Sequence, residues 1–130
     1  MLDLSITGVS HLELYVSDVA ASRDWYESAV GLEVLRTAAG DRVIMKSPNS
    51  EFRLILCPDR AGDAHGEFGH VAFAVQSMDV LESWAKHLDD VGMPYKGIKE
   101  NPNGHTIDLI DPDGYDVELS YEISAGRDPA

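Results

Sequence analysis

The sequence predicts an α+β fold built from two β-α-β-β-β modules whose sheets curve around a shared cavity. Three observations predict it: an internal repeat, strict apolar–polar alternation opening each half, and a glycine-stopped helical pattern after each alternating run. Val9-Ser-His11-Leu-Glu-Leu-Tyr-Val16 aligns with Phe68-Gly-His70-Val-Ala-Phe-Ala-Val75, histidine on histidine. Trp25 lies 14 residues after His11, and Trp84 lies 14 after His70. The first module spans about residues 6–58 and the second about 68–122, with a polar, glycine-bearing linker over 59–67. A half of roughly 60 residues buries too little surface to stand alone, so the halves are expected to pack together or with another chain, and residues 1–130 read as one domain of two repeats.

The elements follow in order. His11–Val16 and His70–Val75 alternate with period two, as half-buried strands do. Helix 1 begins at Ser17 or Asp18, either able to cap free N–H groups, and ends near Val30 before Gly31. Helix 2 follows Ser77, carries Leu81, Trp84, Leu88 and Val91 at helical spacing, and stops at Gly92 with Pro94 beyond. Strands are expected near Glu33–Thr37, Arg42–Lys46 and Phe52–Cys57 after helix 1. After helix 2 they are expected near Tyr95–Ile98, Thr106–Ile110 and Tyr115–Tyr121. Asp111-Pro-Asp-Gly114 reads as a type I turn between the last two. Trp25 and Trp84 read as core anchors, and Cys57 as a small buried apolar residue.

Composition removes several function classes. Ten Lys+Arg against 23 Asp+Glu give a formal charge of −13, which repels phosphate backbones and anionic lipid. Nucleic acid and membrane are therefore not expected partners; a small molecule is. No apolar run reaches the length of a membrane span, and the N-terminus lacks a secretory pattern. The single cysteine suits a reducing cytoplasm.

Alternation also sorts the faces. Leu12, Leu14 and Val16 point one way, leaving His11, Glu13 and Tyr15 opposite. Val71, Phe73 and Val75 leave His70, Ala72 and Ala74, and Val117, Leu119 and Tyr121 leave Asp116, Glu118 and Ser120. If the sheets enclose one cavity, His11, His70 and Glu118 converge there. Two imidazoles and a carboxylate form a 2-His-1-carboxylate site suited to Fe2+ or Mn2+, with Zn2+ or Ni2+ also acceptable. The plain alternative is a hydrogen-bonded structural role for each histidine. Glu13, Asp108 and His105 are candidate acid–base groups; the bland reading of Glu13 is a solvated carboxylate at the cavity rim. Tyr15 reads as space-filling, Asp116 as solvent-facing or supporting, and His65 and His87 as exposed. No residues call for an organic cofactor.

Four segments carry a family resemblance: His11-Leu-Glu-Leu-Tyr-Val-Ser-Asp18, Trp25-Tyr-Glu-Ser-Ala-Val-Gly-Leu-Glu33, Gly69-His-Val-Ala-Phe-Ala-Val75 and Asp111-Pro-Asp-Gly-Tyr-Asp-Val-Glu-Leu119. With them the chain resembles the vicinal oxygen chelate superfamily, which includes glyoxalase I, extradiol dioxygenases, fosfomycin-resistance enzymes and bleomycin-resistance proteins. The resemblance implies metal ligands at His11, His70 and Glu118, a metal-dependent dioxygenase-like or glyoxalase-like reaction on a small oxygenated molecule, and a homodimer. The fourth ligand of glyoxalases falls near Arg53 or Ile55, neither of which binds metal. The tyrosine of the dioxygenase signature is Asp108 here. Fosfomycin enzymes cradle a phosphonate with cations, of which Arg53 is the evident inward one. The alternative function is antibiotic sequestration of the bleomycin-resistance type, which needs no metal ligands.

Overall fold

The computed structural model describes residues 4–6, 8–62 and 69–123, and the chain divides into two compact units, Met1–Ala64 and His65–Ala130. The first unit runs β1 (His11–Val16), α1 (Val19–Val30), β2 (Glu33–Ala38), β3 (Arg42–Lys46) and β4 (Arg53–Pro58). Its sheet has the order β1-β4-β3-β2, with β1 and β4 parallel and the other pairs antiparallel. The second unit repeats the plan with β5 (Val71–Ala74), α2 (Met78–Asp90), β6 (Lys99–Asn101), β7 (Gly104–Ile110) and β8 (Asp116–Glu122). Its order is β5-β8-β7-β6, again with one parallel pair, β5 and β8. Both units are therefore β-α-β-β-β, as the repeat predicts.

The helix ends form where the cap chemistry places them. Asp18 is extended (φ −140°), and its carboxylate accepts the Ala21 N–H at 3.0 Å. Gly31 closes α1 in the left-handed region at φ 67°, a conformation a side chain would resist. Ser77 caps α2 by accepting the Val80 N–H at 3.2 Å. The Asp111–Gly114 turn closes with the Gly114 N–H on the Asp111 carbonyl at 3.0 Å. Inside that turn, the Asp111 carboxylate takes the N–H groups of Asp113 and Tyr115.

Each core lies between a sheet and its own helix. Leu14, Val16, Met45, Leu54 and Leu56 are buried with Tyr26 and Ala29 in the first unit. Leu81 and Leu88 are buried with Ile107, Leu109, Val117 and Leu119 in the second. Removing such a leucine from water contributes roughly 1.5–3 kcal/mol. Three expectations need correction: the tryptophan anchors, the strand after α2 and the exposure of His87. Trp25 and Trp84 are only half-buried: Tyr26 fills the α1 core, with the Trp25 ring edge-on to it at 4.8 Å, and Leu81 and Leu88 fill that of α2. The strand expected at Tyr95–Ile98 forms instead at Lys99–Asn101, where the backbone pairs with Gly104–Thr106. His87 is half-buried, edge-on to the Trp84 ring at 5.4 Å. His65 and part of the linker lie outside the described residues.

Candidate metal centre

In β8 the alternation works as read. Val117 and Leu119 turn into the helix-side core, so Asp116 and Glu118 occupy the other face, both half-buried. Ladder pairing places Ala72 beside Glu118 on one side and Asp108 beside it on the other. The small Ala72 leaves this face open. His70, the residue before β5, brings Nε2 to 3.4 Å from Glu118 Oε2. His70, Asp116 and Glu118 each offer a ligand atom, and these atoms lie within 4.8 Å of one another. Lys99 on β6 pairs with Asp108 through its ammonium.

The electrostatics of this cluster are those of a site short of positive charge. Burial pushes the Glu118 carboxyl above its usual range; His70 opposes this, Asp108 and Asp116 add to it, and Lys99 opposes it. The hydrogen bond to Asp108, and then its charge, raises the Lys99 ammonium. Asp108 Oδ1 and Asp116 Oδ1 are buried without a hydrogen-bond partner among the described residues. A buried carboxylate oxygen without a donor is costly, and a cation would satisfy it. Three carboxylates facing one ammonium thus suit a dication.

The first unit presents a different face. His11 opens β1, exposed, with Nδ1 2.8 Å from the Ser10 hydroxyl oxygen. The Cys57 thiol donates to Glu13 Oε2 at 3.8 Å; burial foremost, and then the Glu13 charge, pushes that thiol up, while Arg42 pulls it down. Tyr15 is half exposed rather than packed. Register shows which residue of this unit stands at the repeat position of Glu118. Glu13 pairs with Ile55 as Ala72 pairs with Glu118, so Ile55 occupies the repeat position of the glutamate. Glu51 is exposed ahead of β4, and Asp59, just past it, accepts the Ala61 N–H.

The structure brings His70 and Glu118 together and adds Asp116 and Lys99, which sequence reasoning undervalued. Asp116 carried a signal, lying two residues before Glu118 on the same strand face. Lys99 carried none while its strand was placed too early. His105 lies in β7 opposite Tyr121, one residue out of phase with Thr106 and Asp108, and therefore faces away from Glu118.

Among known proteins, the chain is 32% identical over 121 residues to the metallothiol transferase FosB of Bacillus licheniformis, covering 88% of this chain and 75% of that one. The antibiotic binding protein TnmS3 of Streptomyces sp. CB03234 has a similar fold, with a TM-score of 0.76 at 20% identity, covering 92% of this chain and 99% of that one. So does the lactoylglutathione lyase of Agrobacterium tumefaciens, with a TM-score of 0.71 at 22% identity, covering 89% of this chain and 94% of that one. No helix among the described residues is long and apolar enough to cross a membrane. A family model matches residues 8–119, and the chain belongs to the Glyoxalase/Bleomycin resistance protein/Dioxygenase superfamily.

Proposed function

We propose that this chain is a metal-dependent enzyme acting on a small oxygenated organic molecule, with His11, His70 and Glu118 as ligands of one divalent ion. The approach of His70 to Glu118 at 3.4 Å, beside Asp116, carries the reading. The donors fit: imidazole nitrogen, carboxylate oxygen, and neighbouring carboxylate oxygens that no described residue satisfies. His11 enters as the repeat counterpart of His70, and its contact with Ser10 at Nδ1 leaves Nε2 for a ligand role. This set suits Fe2+ or Mn2+ and accepts Zn2+ or Ni2+. When bound, such an ion supplies Lewis-acid stabilisation of negative charge on a substrate oxygen.

The remaining steps belong to the protein's own groups. Glu13, which already accepts the Cys57 thiol hydrogen at Oε2, is the proposed base. Asp108, held by Lys99 through Oδ2, is the proposed second proton carrier, at Oδ1. His105 has no part in this scheme, because its face is the other one. Ring cleavage with dioxygen is the leading reaction, followed by a lyase or isomerase reaction on a carbonyl compound. The metallothiol transferase activity in the name of the FosB relative supports metal-dependent turnover over sequestration. We further propose a cytoplasmic homodimer, which the edge strands of each sheet and the free thiol Cys57 support.

Melting with iron, manganese, zinc or chelator tests the reading. A bound ion stabilises the folded chain, so added metal should raise the melting temperature at about pH 7.5 and chelator should lower it. If neither metal nor chelator moves the transition, the site is vestigial and antibiotic sequestration takes its place. Oxygen uptake with catechols then separates ring cleavage from the other reactions.

A further inference from the structure

The first unit holds a cavity of about 370 Å³ at the ends of β1 and β4, beneath the tip of the β2–β3 hairpin. That volume falls in the range of small-molecule pockets. Tyr15 and Pro58 give it an apolar wall, Cys57 lies at its base, and Arg42 and Arg60 supply its charge. Of the seven lining residues two are arginines and none is acidic, in a chain with 23 Asp+Glu and 10 Lys+Arg. Two carboxylates stand next to this lining, Asp41 on Arg60 and Glu13 on the Cys57 thiol.

The two guanidinium groups are not equivalent. Arg60 ties the segment after β4 to the hairpin tip, donating from Nη2 to the Gly40 carbonyl at 3.3 Å and to Asp41 Oδ2 at 3.0 Å. The tip itself is a tight one, with Gly40 at φ 77° and Asp41, a residue with a side chain, at φ 62°. Asp41 offsets the charge of Arg60. Arg42 lines the cavity and makes no ion pair among the described residues, which leaves its guanidinium available to a ligand. Its planar fork of N–H donors matches an anionic oxo group.

We propose that this cavity binds a small organic anion, its carboxylate or phosphonate head on Arg42 with Arg60 beside it, and its body against the Tyr15 ring and Pro58. The proposal does not depend on the metal reading, and working in chelator keeps the two apart.

The test is a two-dimensional NMR titration of the full-length 15N-labelled protein in EDTA at low ionic strength. The probes are benzoate, phenylphosphonate and, as the neutral control, benzyl alcohol. At least one anion is expected to shift the amides of Gly40, Arg42 and Cys57 saturably, while benzyl alcohol binds at least tenfold more weakly; which anion binds tighter identifies the head group. Arg42 is exposed, so Arg42→Gln should leave the rest of the spectrum in place and weaken the anion by about tenfold or more. No saturable shift with either anion overturns the proposal, as does equal binding of benzyl alcohol or wild-type affinity in Arg42→Gln. Should Arg42→Gln fail to fold, the benzyl alcohol comparison decides alone.

Discussion

Replacing Asp116 with Asn removes one negative charge from the second unit's cluster without changing side-chain shape. The ligand atoms of Asp116 and Glu118 lie within 4.8 Å of each other. Two unit charges at that separation repel by about 3 kcal/mol at the effective dielectric of partly buried pairs. Water reaching the open face screens much of this, so about 1 kcal/mol of relief is expected. For a chain of 130 residues that corresponds to a rise of about 4 °C in Tm. The sign with pH follows from Glu118, whose carboxyl burial raises first and Asp108 and Asp116 raise further. A carboxyl raised in the fold stabilises the folded protein at low pH, and that contribution is lost as pH climbs through its folded value. Asp116→Asn loses less, so its advantage over wild type should widen from the ordinary carboxylate range toward neutrality. Thermal melts in chelator, from acid to about pH 7.5, read this directly. An Asp116→Asn protein that melts at or below wild type near neutrality would refute the reasoning.

Three further outcomes follow. Glu13→Gln removes one cause of the raised Cys57 thiol while burial remains, so alkylation by iodoacetamide in mildly alkaline buffer should quicken by about two- to fivefold; an unchanged rate would separate the two residues. Gly104→Ala should cost more than about 3 kcal/mol, because Gly104 sits at φ +155° and a Cβ there would collide with the Tyr121 carbonyl oxygen; urea unfolding measures it, and a loss below 1 kcal/mol would contradict the geometry. Light scattering should give a dimer of the 14.2 kDa chain at micromolar concentration, and a monomeric mass would remove the homodimer.

The fold was readable because the repeat, the caps and the period-two runs all point the same way. Asp18, Gly31 and Ser77 each perform the cap their chemistry allows, and β1 begins and ends where the alternation of His11–Val16 does. The aromatic anchor was less readable. Trp25 and Tyr26 are adjacent, about 100° apart on a helix, and only the position of the sheet decides which of them is buried. The site divides in the same way. Glu118 is legible from alternation within its own strand, whereas the Lys99–Asp108 pair depends on the register between β6 and β7. Lys99 pairs with Thr106, which sets Asp108 diagonally across from it, a relation no single strand encodes. His105 shows the same limit: a shift of one residue along β7 moves a side chain to the opposite face.

The most direct test is elemental analysis of the untagged full-length chain after iron or manganese loading and desalting, set against His11→Ala, His70→Ala and Glu118→Ala. All three sites are at least partly exposed, so the variants should keep their fold by circular dichroism. The account predicts one ion per wild-type chain and a loss of most of it in each variant. Full occupancy in His70→Ala, or no ion retained by wild type, would contradict it.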